Sequence, residues 1–167
     1  MNVLPGKYIG MVCLLCALLI GCKPLSTTKS SPSKKKESEE IVLIYISQSP
    51  CMGKCPDYEA WFYSGRKMVY EGRSHMPVLG KFEYLIPAEL TKNLIFEAVK
   101  QNVKLIPDSM PTPPDVSVIK IMVNINGKVK KISGWTGFGN ENFNSFVRLV
   151  HGEVKAMIQD QEGIKIP

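Results

Sequence analysis

Val116 to Ser133 reads VSVIKIMVNINGKVKKIS, two β-rich runs on either side of an Asn-Gly pair. Ile119, Ile121, Val123 and Ile125 fall at every second position, which puts all four on one face of an extended chain. Asn126-Gly127 is the strongest short hairpin signal, because both residues tolerate the positive φ that a type I′ turn requires. The spacing predicts a strand over 116–125, a two-residue turn and a returning strand over 128–133. A strand pair with one apolar face needs further strands and a cover for that face.

The flanking sequence supplies both. Ile41 to Ser47 (IVLIYIS) is β-branched and aromatic throughout and reads as a buried strand. From Asp57 to Ser64, Tyr58, Ala60 and Phe62 alternate with Glu59, Trp61 and Tyr63, giving a strand with one mainly apolar face. Ser64-Gly65 supplies a turn, Lys67 to Glu71 returns as a hairpin partner, and Leu79 to Leu85 is a weaker strand. Pro87 suits the first turn of a helix, where its missing N–H has no partner to lose. Leu90, Leu94 and Ala98, with Ile95 and Val99, then form an apolar helical stripe over 88–101. Four prolines between Pro107 and Pro114 impose a loop. A last helix carries Phe143, Phe146, Val147, Val150, Val154, Met157 and Ile158 on one side, with Asn140 as its cap. The expected fold is α+β: an antiparallel sheet of about five strands with two helices packed on one face, and no internal repeat.

At the N-terminus an apolar run begins near Tyr8, behind Lys7, and closes on Leu19-Ile20-Gly21-Cys22. That arrangement is the pattern of a secretory signal peptide. Its end resembles the lipobox of bacterial lipoproteins, in which the cysteine is acylated and becomes the first mature residue. A transmembrane helix is the competing reading, but residues 8–21 would span roughly 21 Å of a ~30 Å hydrocarbon core. The expected organisation is a signal peptide over 1–21, acylated Cys22 with a polar linker over 22–40, and one domain over 41–167. Cys13 and Cys16 leave with the signal. The lipid on Cys22 makes membrane lipid a partner, since acyl burial contributes ~0.8 kcal/mol per methylene. Lys23, in place of an aspartate, points to the outer membrane.

Residues 23–40 hold one large apolar side chain, Leu25, and cannot build a core. As a coil they reach roughly 25 Å. Lys34-Lys35-Lys36 would suit anionic headgroups, although Glu37, Glu39 and Glu40 follow at once and favour a solvated spacer. The net charge of +6 shrinks to an ordinary value for the domain once Lys7 and the lysine-rich linker are set apart. Neither the charge nor an exported location supports a nucleic-acid partner.

Cys51-Met52-Gly53-Lys54-Cys55-Pro56-Asp57-Tyr58 is the unusual local feature of the domain. With the hairpin after it, including Gly65 and Tyr70-Glu71-Gly72, it resembles the family catalogued as domain of unknown function 6438. The likeness extends over most of residues 42 to 158, with Met52 in place of a usual aromatic and Asp57 in place of a usual apolar residue. The resemblance implies a domain of exported bacterial proteins and no known activity.

Two cysteines in an exported domain are most simply a disulfide. Bonding Cys51 to Cys55 requires the chain to fold back, which Gly53 permits, and Pro56 then biases Cys55 toward the extended geometry of the next strand. Three other readings stand beside it. Lys54 could activate a redox pair; Cys51, Cys55, His75 and His151 could bind zinc; Met52 and the thiols could suit a soft ion such as Cu(I). Against zinc, the two histidines are far apart in sequence and do not form a close ligand pair. His151 falls beside the apolar stripe of the last helix, and His75 sits in a loop before Met76-Pro77. Trp135 and Phe138, in a Gly-aromatic loop after a strand, are candidates for ligand contact or for burial at the sheet edge.

The chain has no Gly-x-Ser-x-Gly, no His-Glu-x-x-His and no phosphate loop. The sequence therefore points to a membrane-anchored envelope lipoprotein that is not an enzyme, uses no cofactor or metal, and binds an envelope protein or small ligand. A thiol redox or metal-binding protein using Cys51 and Cys55 is the alternative.

Overall fold

The computed structural model describes residues 40–135, 137 and 140–167. Seven strands, β1 (Val42–Gln48), β2 (Asp57–Tyr63), β3 (Lys67–Ser74), β4 (Gly80–Leu85), β5 (Ile119–Ile125), β6 (Lys128–Gly134) and β7 (Ile164–Lys165), form one sheet in the order β6-β5-β1-β2-β3-β4-β7. Every neighbouring pair is antiparallel. Helix α1 (Leu90–Lys100) and a 3₁₀ turn (Val103–Leu105) connect β4 to β5, and α2 (Glu141–Asp160) connects β6 to β7. The α+β class and the antiparallel sheet are as the sequence indicated. The strand count is higher, partly because two-residue β7, paired with Phe82 and Glu83, is too short to carry a periodicity.

The register explains the core. One row across the sheet runs Ile132, Ile121, Ile46, Ala60, Tyr70 and Phe82; the next runs Val123, Ile44, Phe62, Met68 and Tyr84. Most of these side chains are buried, together with Leu94 and Ala98 of α1 and Phe143, Phe146, Val147, Val150, Val154 and Ile158 of α2. Each large apolar side chain so covered contributes about 1.5–3 kcal/mol relative to exposure. Both helices therefore serve one face of the sheet.

Asn126 (φ 53°) and Gly127 (φ 78°) make the hairpin turn between β5 and β6. Residues 116–118 lie outside β5, and their polar groups turn to Ser49 instead. The Val118 N–H donates to Ser49 Oγ at 2.9 Å, and the Ser49 N–H donates to the Val118 carbonyl at 2.9 Å.

Helix α1 starts later than the proline suggested. Pro87 opens a turn in which the Leu90 N–H donates to the Pro87 carbonyl at 3.1 Å, so the proline precedes the helix. Its apolar stripe is also narrower, because Val99 is 52% exposed while Thr91 is buried in the row with Leu94 and Ala98. Helix α2 follows the expected pattern, and Asn140 Oδ1 accepts from the Phe143 N–H at 3.0 Å. Among the described residues no helix is long and apolar enough to cross a membrane.

Candidate functional site

Cys51 and Cys55 are bonded to each other, with Cα atoms 5.6 Å apart, in the connection between the central strands β1 and β2. The Gly53 N–H lies 3.3 Å from Cys51 Sγ, and Met52 stands out in solvent at 83% exposure. Closing so short a loop stabilises by only ~2 kcal/mol on the chain-entropy model. The start of this turn is also held from the side, since the Ser117 hydroxyl donates to the Ser49 carbonyl.

The tyrosines and glycine of the motif belong to the core. Tyr58 is fully buried opposite Gly72. The Tyr70 hydroxyl donates to the Val78 carbonyl at 2.8 Å. A Cβ at Gly72 would overlap both that phenol and the Val78 oxygen, so the hydrogen bond requires glycine there. His151 packs edge-on against Tyr58, with ring centroids 5.1 Å apart. Burial first, and then Lys155, pushes its imidazole down to about 4. His75 is exposed in a left-handed conformation, φ 53°. Among the described residues no three His, Cys, Asp or Glu side chains are grouped to hold a metal.

Trp135 is half-buried just after β6, and its indole N–H donates to the Pro111 carbonyl at 3.1 Å. That bond ties the loop after β6 to the proline loop. Phe138, its partner in the sequence reading, lies outside the described residues, as does Cys22 with the whole of residues 1–39.

The arrangement that sequence reasoning missed is on the other face of the sheet, which neither helix covers. Lys131, Met122, Tyr45, Trp61, Val69 and Glu83 form one row across it; Ser133, Lys120, Ser47, Glu59, Glu71 and Lys81 form the next. The Tyr45 and Trp61 rings lie 5.5 Å apart at a tilt of 43°. A register irregularity between Val42 and Ile44 sets Val42 opposite Tyr63, which brings it onto this face. The result is an open concavity of about 860 Å³ with Tyr45, Trp61, Met122 and Val42 in its lining.

The rim of this face is charged. Arg73 reaches Asp57 at 3.0 Å, Glu59 at 2.8 Å and Glu71 at 3.7 Å. Glu59 also accepts from the Tyr45 hydroxyl at 3.0 Å, which fixes the ring's position. Asp108 and Lys130 are paired on the opposite rim. The alternation in β2 had already set Trp61 against its apolar neighbours; what it lacked was the register that brings Tyr45 and Met122 beside it.

Comparison with curated proteins gives no match. A family model described as a domain of unknown function (DUF6438) matches residues 42–154, from the first strand into α2. This span is most of the chain and contains the cysteine turn, the Tyr70-Glu71-Gly72 segment and both strands of the Asn-Gly hairpin, and the chain belongs to that family.

Proposed function

We propose that this chain is a bacterial envelope lipoprotein, held to the outer membrane through acylated Cys22, whose domain is a non-catalytic binding module. Its partner, an envelope protein or small ligand, meets the open face of the sheet. The observation that carries this reading is the Tyr45–Trp61–Met122 floor, an aromatic and thioether surface on the face that neither α1 nor α2 covers. A small apolar floor rimmed by polar and charged side chains has the composition of a ligand-binding surface. The signal-like segment and Leu19-Ile20-Gly21-Cys22 support export and anchoring, and a linker of coil composition leaves the face free to reorient near the membrane.

Two measurements test the two parts. Cys22→Ser is expected to yield unprocessed or soluble protein; normal processing with full membrane retention refutes the anchor. A photoreactive phenylalanine at position 61, which keeps an aromatic ring on the floor, is expected to crosslink to an envelope component in intact cells. Position 96, exposed on α1 on the other side of the sheet, serves as the control. Equal labelling from the two positions, or none from position 61, removes the open face as the binding surface.

A further inference from the structure

We propose that the open face takes a carboxylate-bearing glycan, its sugar rings lying on Tyr45, Trp61 and Met122 and its carboxylates meeting Lys120 and Lys131. This deepens the binding-face reading and rests on it.

The charge balance of the concavity comes first. Of the charged residues in its lining, Asp108 is paired with Lys130, and Glu59 shares the single Arg73 with Asp57 and Glu71, so that side of the floor keeps an excess of negative charge. Lys120 and Lys131 are exposed and make no ion pair among the described residues. They are diagonal neighbours on adjacent strands, because Lys120 faces Ser133 and Lys131 faces Met122. Diagonal positions lie roughly 7–8 Å apart. Two uncompensated cations thus sit at one side of the aromatic floor and carboxylates at the other, which places a ligand's anionic group at the lysine side and its neutral hydroxyls at the acidic side.

The shape of the floor selects the class of anion. Strands β5, β1 and β2 are paired on both sides, so the floor presents side chains and no free backbone edge. An acidic peptide therefore cannot add as a strand over Tyr45, Trp61 and Met122; the nearest edge is β6, where the Ser133 backbone is already bonded to Asp108 and Met110. Two lysines interrupt the apolar groove that an amphipathic helix would need. A sugar ring matches the surface better. Its C–H face packs on an aromatic ring while its hydroxyls stay at the periphery, where polar groups can reach them. The Trp61 indole N–H makes no hydrogen bond within the described residues and is available to a hydroxyl or ring oxygen. Across the floor, Asp57, Glu59 and Glu71 around Arg73 offer carboxylate acceptors for hydroxyl groups.

The test uses the full-length chain in detergent micelles, with Trp135→Phe so that Trp61 alone reports. Circular dichroism and an intact disulfide confirm the fold of each variant, and calorimetry on the unsubstituted chain repeats each titration. A galacturonate hexasaccharide, a neutral glucose hexasaccharide and a hexaglutamate peptide are the probes. The uronate is expected to change Trp61 emission saturably, and to bind roughly tenfold more tightly than either of the others. Its affinity should fall with added salt. Lys120→Gln with Lys131→Gln should abolish the preference over the neutral sugar, and Tyr45→Ala should weaken both sugars. Hexaglutamate binding as tightly as the uronate overturns the glycan in favour of an acidic peptide. Uronate binding that ignores the lysine substitutions, or no response to any probe at millimolar concentration, also overturns it. If crosslinks still form from position 61, the binding face stands and only the glycan falls; if they do not, both fall.

Discussion

Phe62 and Trp61 are neighbours in β2, yet Phe62 is sealed beneath the helices while Trp61 lies half-buried on the face they leave open. The same alternation separates Ile44 and Ile46 from Tyr45, and Ile121 and Val123 from Met122. On the covered face, neighbours across the sheet are apolar and the two helices complete the packing. On the open face, aromatic and thioether groups share rows with lysines and carboxylates. Packing requires side chains that exclude water from one another; recognition requires side chains that remain able to give water up. The strands supply both by sending alternate residues in opposite directions.

The sharpest way to break this contrast is to truncate both neighbours. Phe62→Ala should cost about 3–5 kcal/mol in chemical denaturation, the usual range for a large core aromatic. Trp61→Ala should cost only about 1 kcal/mol, while removing the contact on which the proposed binding depends. Comparable losses at the two positions would mean that the open face is covered in the native protein.

A second prediction probes the margin of the covered face, where His151 meets Tyr58. The native imidazole titrates near 4 and the unfolded one near its ordinary 6.5. The unfolded chain therefore holds the proton more tightly between these values. Stability due to this residue is complete above pH ~6.5 and is lost as the pH falls toward 4, by up to about 3 kcal/mol. His151→Phe keeps a ring against Tyr58 and should flatten that part of the pH dependence relative to the parent chain. A parallel decline in both proteins would show that other groups carry it.

The smallest effect is expected at the cysteine turn, which belongs to neither face. Reducing Cys51–Cys55 should lower stability by ~2 kcal/mol and leave binding at the open face unchanged. The bond should also withstand glutathione-level reduction, as a structural disulfide does. Ready reduction would restore the case for a thiol redox role.

Most of the fold was legible because local signals agreed. Asn126-Gly127 sets a hairpin by backbone conformation alone, and Asn140 together with the α2 stripe sets a helix by capping and period. The misreadings arose where tertiary contacts decide. Val116 to Val118 has strand composition, but its backbone finds Ser49. Val99 has the spacing of the α1 stripe, but the helix turns the row of Thr91, Leu94 and Ala98 to the core and leaves it outside. The candidate face was harder to see for a related reason. IVLIYIS is apolar at nearly every position, so its sequence cannot show which face the helices cover, that of Tyr45 or that of Ile44 and Ile46. Lys120, Met122 and Lys131 acquire meaning only when β5 and β6 are placed beside β1, a pairing across about seventy residues of chain. Trp135 is open, in sequence, to ligand contact or to burial at the sheet edge because it follows a strand beside glycines, and its bond to Pro111 is visible only in three dimensions.

The position of β1 has a mechanical consequence. The first strand of the domain lies in the middle of the sheet, between β2 and β5, with neither of its long sides free. A pull on the N-terminal side of the chain therefore enters the sheet at its centre. Load along β1 is shared between two antiparallel ladders in shear, so many hydrogen bonds must yield together. A strand at the rim would instead unzip from one end, bond by bond. With the anchor proposed at Cys22, load from the tether would meet this central strand before the rim strands β6 and β7.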